Sequence, residues 1–300
     1  TQSRSSAASD VYKRQSVLPA APLTEVEGEA ALALQVLWGG NRPWELTGQA
    51  QVQQARLGLE RLPHPFEEVK GSVRFTLEEL ELQGLSGRFG QLAFEDLNGS
   101  IAFGDKGFDL QAAIPPASLQ QIQETFNFEL PVAAEGVVAG SLAVTGPLNG
   151  PQIQGQLRGI SPGRVDRLPV PEYAFGFRLA GQTLAFEAIN LKAAGGRIQG
   201  SGQLQWAAGL AGQFQLQVTG ADPEQVLALY DLNLPRRGEL PWAGPVSAQV
   251  QVALAGSRPQ VEATWTTQGG EIAGRGQLQI LPEAGGWVVE VPQAVLELSG

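Results

Sequence analysis

Apolar and polar residues alternate along most of the chain, a pattern typical of β-strands with one buried and one exposed face. The alternation is clearest in residues 72–77, 80–82, 175–179, 214–218 and 295–298. Glycine-rich turns separate such stretches every eight to twelve residues. The spacing predicts an all-β protein made of short antiparallel strands.

Two short stretches have helical spacing instead. Pro115 and Pro116 precede apolar residues spaced by three and four, and so do Asp222 and Pro223. An Asp before a Pro is a typical helix start. Leu-Pro pairs at 130–131 and 234–235 are the expected helix stops. The sequence therefore predicts one short helix at each of two junctions between β units.

One segment recurs three times at a spacing of 108 residues. It begins at Gly28, Gly136 and Gly244 and runs on to Pro43, Pro151 and Pro259. One such unit cannot bury its apolar face alone, so stacking of units into one sheet is expected. The predicted organisation is a continuous β array over residues 16–300, with units at about 24–131, 132–239 and, in part, 240–300.

A second internal match does not fit the period of 108. Residues 195–205 resemble residues 269–279, and the two segments are 74 residues apart. Either the third unit is shortened by a deletion, or the match reflects a smaller repeat at the level of a hairpin. The pattern alone leaves both interpretations open.

A long antiparallel sheet with one apolar face must curl or be covered, and few helices are predicted to cover it. We therefore predict an elongated, curled antiparallel sheet with an apolar inner groove and a few short helices at the repeat junctions. Gln and Thr are expected on the outer face. An ordinary sandwich core remains the alternative for the apolar face. The candidate groove-lining residues are Leu34, Val36, Leu142, Val144, Ile153, Phe175, Phe177, Phe214, Leu216, Val250 and Val252.

The amino-acid composition excludes several classes of function. The formal net charge of −10 and the scattered Lys and Arg argue against nucleic-acid binding, which needs clustered basic residues. The absence of cysteine excludes disulfides, Cys-ligated zinc and a thiol nucleophile. His64 is the only histidine, and its flanking prolines favour an extended surface loop over a catalytic base. We expect no enzyme activity, no metal site and no cofactor.

The first fifteen residues differ in character from the rest. Residues 5–15 match one reading frame of a common transposase-based sequencing adapter. We therefore expect residues 1–15 to be foreign to the fold and disordered, and the native sequence to begin near Ser16, inside a longer protein.

The segment from Pro131 to Gly155 reads PVAAEGVVAGSLAVTGPLNGPQIQG. It resembles the TamB (translocation and assembly module) family of AsmA-like bacterial envelope proteins. In that family, Gly-x-hydrophobic-x-Gly followed by Gly-Pro-Leu and Pro-x-Ile-x-Gly recurs along the chain. Related elements lie at 80–89 and 191–198. The resemblance covers most of residues 16–300.

The resemblance implies a shaft that crosses the periplasm and is anchored in the inner membrane by a segment outside this sequence. Its groove would contact phospholipid acyl chains and carry lipid between membranes, or would support outer-membrane protein assembly together with an outer-membrane barrel protein. Two other classes compete with this interpretation. One is a passive structural or adhesive shaft of a surface protein, and the other is a β-helical polysaccharide enzyme, for which no cluster of acids and basic residues is present.

Overall fold

The computed structural model describes residues 23–37, 45–59, 63–103, 107–127, 130, 133–206, 209–229, 245–256, 258–267, 272–283 and 286–298. The predicted foreign segment 1–15, Pro43, Gly244 and the Leu-Pro pair at 234–235 lie outside these residues. The elements in chain order are β1 (Leu23–Leu37), β2 (Glu45–Leu59), β3 (Phe66–Thr76), β4 (Glu79–Phe89), β5 (Leu92–Ala102), β6 (Gly107–Ser118), α1 (Leu119–Phe126), β7 (Ala134–Glu135), β8 (Val137–Gly146), β9 (Gln152–Gly159), β10 (Gly163–Val165), β11 (Leu168–Val170), β12 (Glu172–Ala180), β13 (Thr183–Ala193), β14 (Gly196–Gln205), β15 (Ala211–Ala221), α2 (Pro223–Leu229), β16 (Val246–Ala255), β17 (Arg258–Thr267), β18 (Ile272–Glu283) and β19 (Gly286–Leu298).

Sixteen of these strands form one antiparallel sheet. Its strands follow chain order from β1 to β19, and only β7, β10 and β11 are left out, forming a small separate sheet. The sheet does not close on itself, which confirms the prediction of an elongated, curled all-β array. It runs through all three predicted repeat units. At about 4.8 Å per strand, its contour is about 70 Å long.

The connections between strands differ between the two sides of the sheet at which the strands begin and end. One edge, which we call the turn edge, carries short connections such as those at 147–151 and 181–182. The other, the cap edge, carries α1, the small sheet and α2. All the larger insertions among the described residues therefore lie along one side of the array.

A line of β-bulges crosses β1 to β5. Gln54, Glu68 and Asp96 adopt φ values of 54°, 54° and 50°, and the pairing register shifts beside each of them. Asn98 Oδ1 accepts a hydrogen bond of 2.9 Å from the Gly84 amide at the same level. Bulges bend strands and increase their twist, so this line bends the sheet across five neighbouring strands.

The glycine that begins the repeated segment has a structural role in both described copies. Gly28 has φ of 127°, and a Cβ placed on it would lie 2.6 Å from Ala55 Cα. Gly136 has φ of 154°, and a Cβ there would overlap the Tyr173 hydroxyl. A side chain fits at neither position, which explains why the repeated segment begins with Gly in both described copies.

Both predicted helices are confirmed, but the first begins and ends differently from the prediction. Pro115 and Pro116 lie in β6, at a register shift where a strand tolerates missing amide hydrogens. Ser118 is the N-cap of α1 and forms a capping box with Gln121. The helix ends before the predicted stop, at Asn127, which adopts a left-handed conformation with φ of 50°.

In α2 the predicted start is confirmed, because Asp222 Oδ1 accepts a hydrogen bond of 2.9 Å from the Glu224 amide. Within the described chain, neither helix is long and apolar enough to cross a membrane.

The match between residues 195–205 and 269–279 relates β14 to β18. On that correspondence, the hairpin of β12 and β13 has no counterpart among the described strands of the third unit.

Candidate functional site: an open apolar face

The two faces of the large sheet differ in chemistry. Direct pairing in the sheet places all eleven predicted groove residues on one face, which we call the inner face. One row of this face runs from Ala112 of β6 through Leu142, Gly155, Phe177, Phe186, Gly202, Phe214 and Val252 to Val261 of β17. The row crosses nine neighbouring strands without a charged residue.

The flanking rows are equally apolar. One passes through Leu110, Val144, Ile153, Leu179, Leu184, Leu204, Gly212 and Leu254. The other passes through Ile114, Gly140, Leu157, Phe175, Ile189, Gly200, Leu216, Val250 and Ala263. Leu34 and Val36 of β1 lie on the inner face as well, because they pair directly with Gly48 and Leu46 of β2. The inner face is therefore a continuous apolar surface.

Aromatic rings pack over glycines on this face, because glycines leave room for them. A Cβ on Gly155 would come within 2.7 Å of the Phe177 ring, and one on Gly202 would overlap the Phe214 ring. Phe186 bridges Phe175 and Phe214, with ring centroids 6.1 and 5.9 Å apart. Phe186 was not among the predicted residues, because a register shift between Phe186 and Ile189 breaks the alternation there.

The outer face carries the polar and charged groups. One row contains Asn190, Gln199, Gln217, Gln249 and Thr264 on successive strands, and Gln199 donates to Asn190 Oδ1 at 2.8 Å. Ion pairs such as Arg74–Glu81 and Arg178–Glu187 also join neighbouring strands, with both partners about half exposed. Such pairs contribute little to stability. The expected Gln and Thr exterior is confirmed for β13 to β17.

Most of the inner face is not covered by other described parts of the chain. Phe177, Phe214 and Val250 are only half-buried, although they point away from the polar face. Among the described elements, strands of the large sheet pack substantially against their sheet neighbours and not against strands across the face. In the part of the chain that the structure describes, the arrangement is an open trough rather than the sandwich core considered as an alternative.

Helix α1 docks at the cap edge and covers the trough at that point. Leu119 and Ile122 of α1 pack against the cluster around Val138, Leu157 and Tyr173. Thr125 is 1% exposed, and its hydroxyl accepts a hydrogen bond of 3.1 Å from the Gln91 amide. The helix therefore ties the β4–β5 turn to the wall of the trough.

Tyr173 fastens the small sheet to the large one. Its hydroxyl donates a hydrogen bond of 2.9 Å to the Val137 carbonyl, and its ring packs over Gly159 and Gly163. Burial raises the pKa of the Tyr173 hydroxyl above its usual value of 10.0. The neutral phenol is thus the form that the fold stabilises.

We expect Tyr173→Phe to lower the free energy of unfolding by about 1 kcal/mol, because it removes one buried hydrogen bond. The raised pKa in the folded state means that Tyr173 stabilises the fold fully below pH 10 and loses this contribution as the pH rises through the folded-state pKa. Urea unfolding between about pH 8 and pH 11.5 measures both effects. A variant whose stability falls with pH as steeply as that of the original chain would show that Tyr173 is not the titrating group.

His64 contacts rings rather than polar partners that could support catalysis. It lies in the loop between β2 and β3, where it is half-buried and makes an edge-on contact with Phe89 at 5.9 Å. Phe89 also packs against Phe66 and Phe126, at 5.0 and 6.0 Å. The histidine thus belongs to the aromatic cluster against which the end of α1 packs.

Comparison with protein-family models, with curated proteins and with solved structures found no match to this chain. The likeness to the TamB family, and the location and partners that it implies, therefore stay predictions.

Proposed function

We propose that the open inner face binds lipid acyl chains and that the array is a segment of a periplasmic shaft carrying lipid between the membranes of a bacterial envelope. One observation carries this proposal. A charge-free apolar row crosses nine strands, and every member except Ala112 is only partly buried, while ion pairs between described strands of the large sheet lie on the opposite face.

The free energy of removing apolar groups from water favours a lipid acyl chain as the ligand of the trough. Each CH₂ group removed from water contributes about 0.8 kcal/mol, without any requirement for direction. The Phe rings that pack over glycines offer apolar contact along the trough, and the three described rows contain no side-chain hydrogen-bond donor that would hold a lipid in one place. Binding spread over many weak contacts permits movement along the array.

The proposal also includes an anchor in the inner membrane and an assembly partner in the outer membrane. Both rest on the resemblance to the TamB family alone. A passive structural or adhesive shaft is the competing function. A passive shaft would gain nothing from an uncovered apolar face of this length, because exposed apolar surface favours aggregation.

Lipid loading tests the proposal. The purified chain is incubated with vesicles of phosphatidylethanolamine and phosphatidylglycerol, separated from them by flotation, and analysed for phospholipid. We expect at least one phospholipid per chain in the vesicle-free fraction. A passive shaft would return with none, at any ratio of vesicle to chain.

A further inference from the structure

An open cavity lies at the cap edge of the second repeat unit, where charged side chains of the outer face meet the small sheet. Its volume is about 490 Å³. The connections that join β10 and β11 to the large sheet bound it on one side, and the cap-edge ends of β12, β13 and β14 bound it on the other. Ile160, Pro162 and Pro171 form an apolar wall, in which Ile160 is 47% exposed.

Two cations of this cavity lie directly opposite each other in the sheet. Lys192 of β13 pairs with Arg197 of β14, and both side chains are exposed. In every other pair of directly opposed charged residues on the described strands, such as Arg74–Glu81, the two signs are opposite. Like charges directly opposite each other destabilise a strand pair. An anion bound between Lys192 and Arg197 would remove that cost.

The acidic side chain of the cavity balances only one of these cations. Lys192 Nζ lies 2.7 Å from Glu172 Oε1, whereas the Arg197 guanidinium has no ion pair or hydrogen bond with any described residue. Two cations and one carboxylate leave the lining with an excess of positive charge. Arg158 of β9 lies directly opposite Ala174 of the lining and adds a further cation beside it. The cavity is thus locally cationic in a chain of formal net charge −10.

The neutral polar groups of the cavity also favour a ligand rich in acceptor oxygens. Gln199 Nε2 donates a hydrogen bond of 2.8 Å to Asn190 Oδ1, which leaves the Asn190 amide nitrogen as a donor for another partner. Ser161 adds a hydroxyl. A guanidinium binds phosphate oxygens through two parallel hydrogen bonds, and a phosphate monoester offers three such oxygens. The apolar wall suits the carbon-bearing part of the same ester.

We propose that this cavity binds a phosphate monoester, with Arg197 and Lys192 on the phosphate oxygens and Ile160 against the carbon portion. A free phosphate ester and the headgroup of a lipid such as phosphatidic acid share this chemistry. The site uses charged residues of the outer face, and the proposed binding of acyl chains uses the inner face. Either can fail without the other.

Titration of the full chain with glycerol 3-phosphate, followed by backbone amide chemical shifts, tests the site. Ionic strength is held constant, because salt screens exposed charges. We expect saturable shifts in residues 160–162, 172–174 and 190–197. Arg197→Gln should weaken binding by about tenfold or more. Glu172→Gln should strengthen it by about fivefold, because it removes the carboxylate that competes for Lys192.

Arg178→Gln is the matched control. It removes the same charge from the outer face, but Arg178 lies at the other end of β12 and pairs with Glu187 at 2.9 Å. This variant should bind glycerol 3-phosphate like the unmodified chain. Arg197→Gln should not lower the free energy of unfolding, because it removes a like-charged pair, so its loss of binding would not reflect damage to the fold.

Flotation with phosphatidylcholine vesicles, with and without phosphatidic acid, distinguishes the two sources of the phosphate group. Flotation that depends on phosphatidic acid and is lost in Arg197→Gln would identify a lipid headgroup. Binding of glycerol 3-phosphate without such flotation would identify a free ester. The proposal would be overturned by shifts that sodium chloride reproduces, by unchanged affinity in Arg197→Gln, by an equal loss in Arg178→Gln, or by weaker binding in Glu172→Gln.

Discussion

Val250→Asp is expected to reduce phospholipid binding by about tenfold or more, which corresponds to at least about 1.4 kcal/mol. Val250 lies on the inner face between Leu216 and Ala263, in the middle of the apolar surface. An acyl chain that covers this position would have to remove water from an unpaired carboxylate, which is strongly unfavourable. The measurement is phospholipid per chain after incubation with vesicles.

Two matched variants distinguish the effect of a charge on the inner face from the effects of net charge and of damage to the fold. Gln249→Asp places the same charge one residue away, on the exposed outer face of β16, and should bind lipid normally. Val250→Thr keeps the shape of the side chain and should show a smaller loss than Val250→Asp. If Gln249→Asp lost as much lipid as Val250→Asp, the effect would come from net charge and not from the inner face.

The largest effect on stability is expected for Val138→Asp. Val138 has no exposed surface, and it belongs to the cluster where α1, the small sheet and β8 meet. An unpaired carboxylate there should cost about 4 kcal/mol or more, which is enough to melt the central repeat. Because contacts in such arrays are mainly between neighbours, the rest of the sheet should unfold in a separate transition.

Urea unfolding followed by circular dichroism measures this loss. Ser141→Asp is the control, because Ser141 is exposed on the same strand, and its substitution should change stability by less than about 0.5 kcal/mol. A Val138→Asp chain with an unchanged unfolding midpoint would show that the cap-edge cluster does not hold the array together.

Much of this fold could be predicted because the patterns that specify it involve residues close together in the sequence. Alternation identifies a strand such as 214–218 and also assigns its faces, since side chains alternate with a period of two. The period of 108 residues by itself relates Leu34, Leu142 and Val250 to one another. Direct strand pairing then places all three on one face.

The bulges and the cap edge could not be predicted, because they depend on contacts distant in sequence. Gln54, Glu68 and Asp96 have no turn signature, and only their neighbours across the sheet show that they form one line. The two prolines of β6 have the typical pattern of a helix start, but pairing with β8 keeps them in a strand. The buried role of Thr125 depends on the turn at Gln91, more than thirty residues away.

Photo-crosslinking from paired positions on one strand tests most directly whether the inner face holds lipid. A benzophenone amino acid is placed at Leu142 or at Ser141, and in a second pair at Val250 or at Gln249, in the chain loaded with phospholipid. The members of each pair are adjacent in sequence but lie on opposite faces of the sheet. We predict lipid adducts from Leu142 and Val250 and none above background from Ser141 and Gln249. Equal labelling of both faces, or no adduct from either inner position, would contradict a lipid-binding trough.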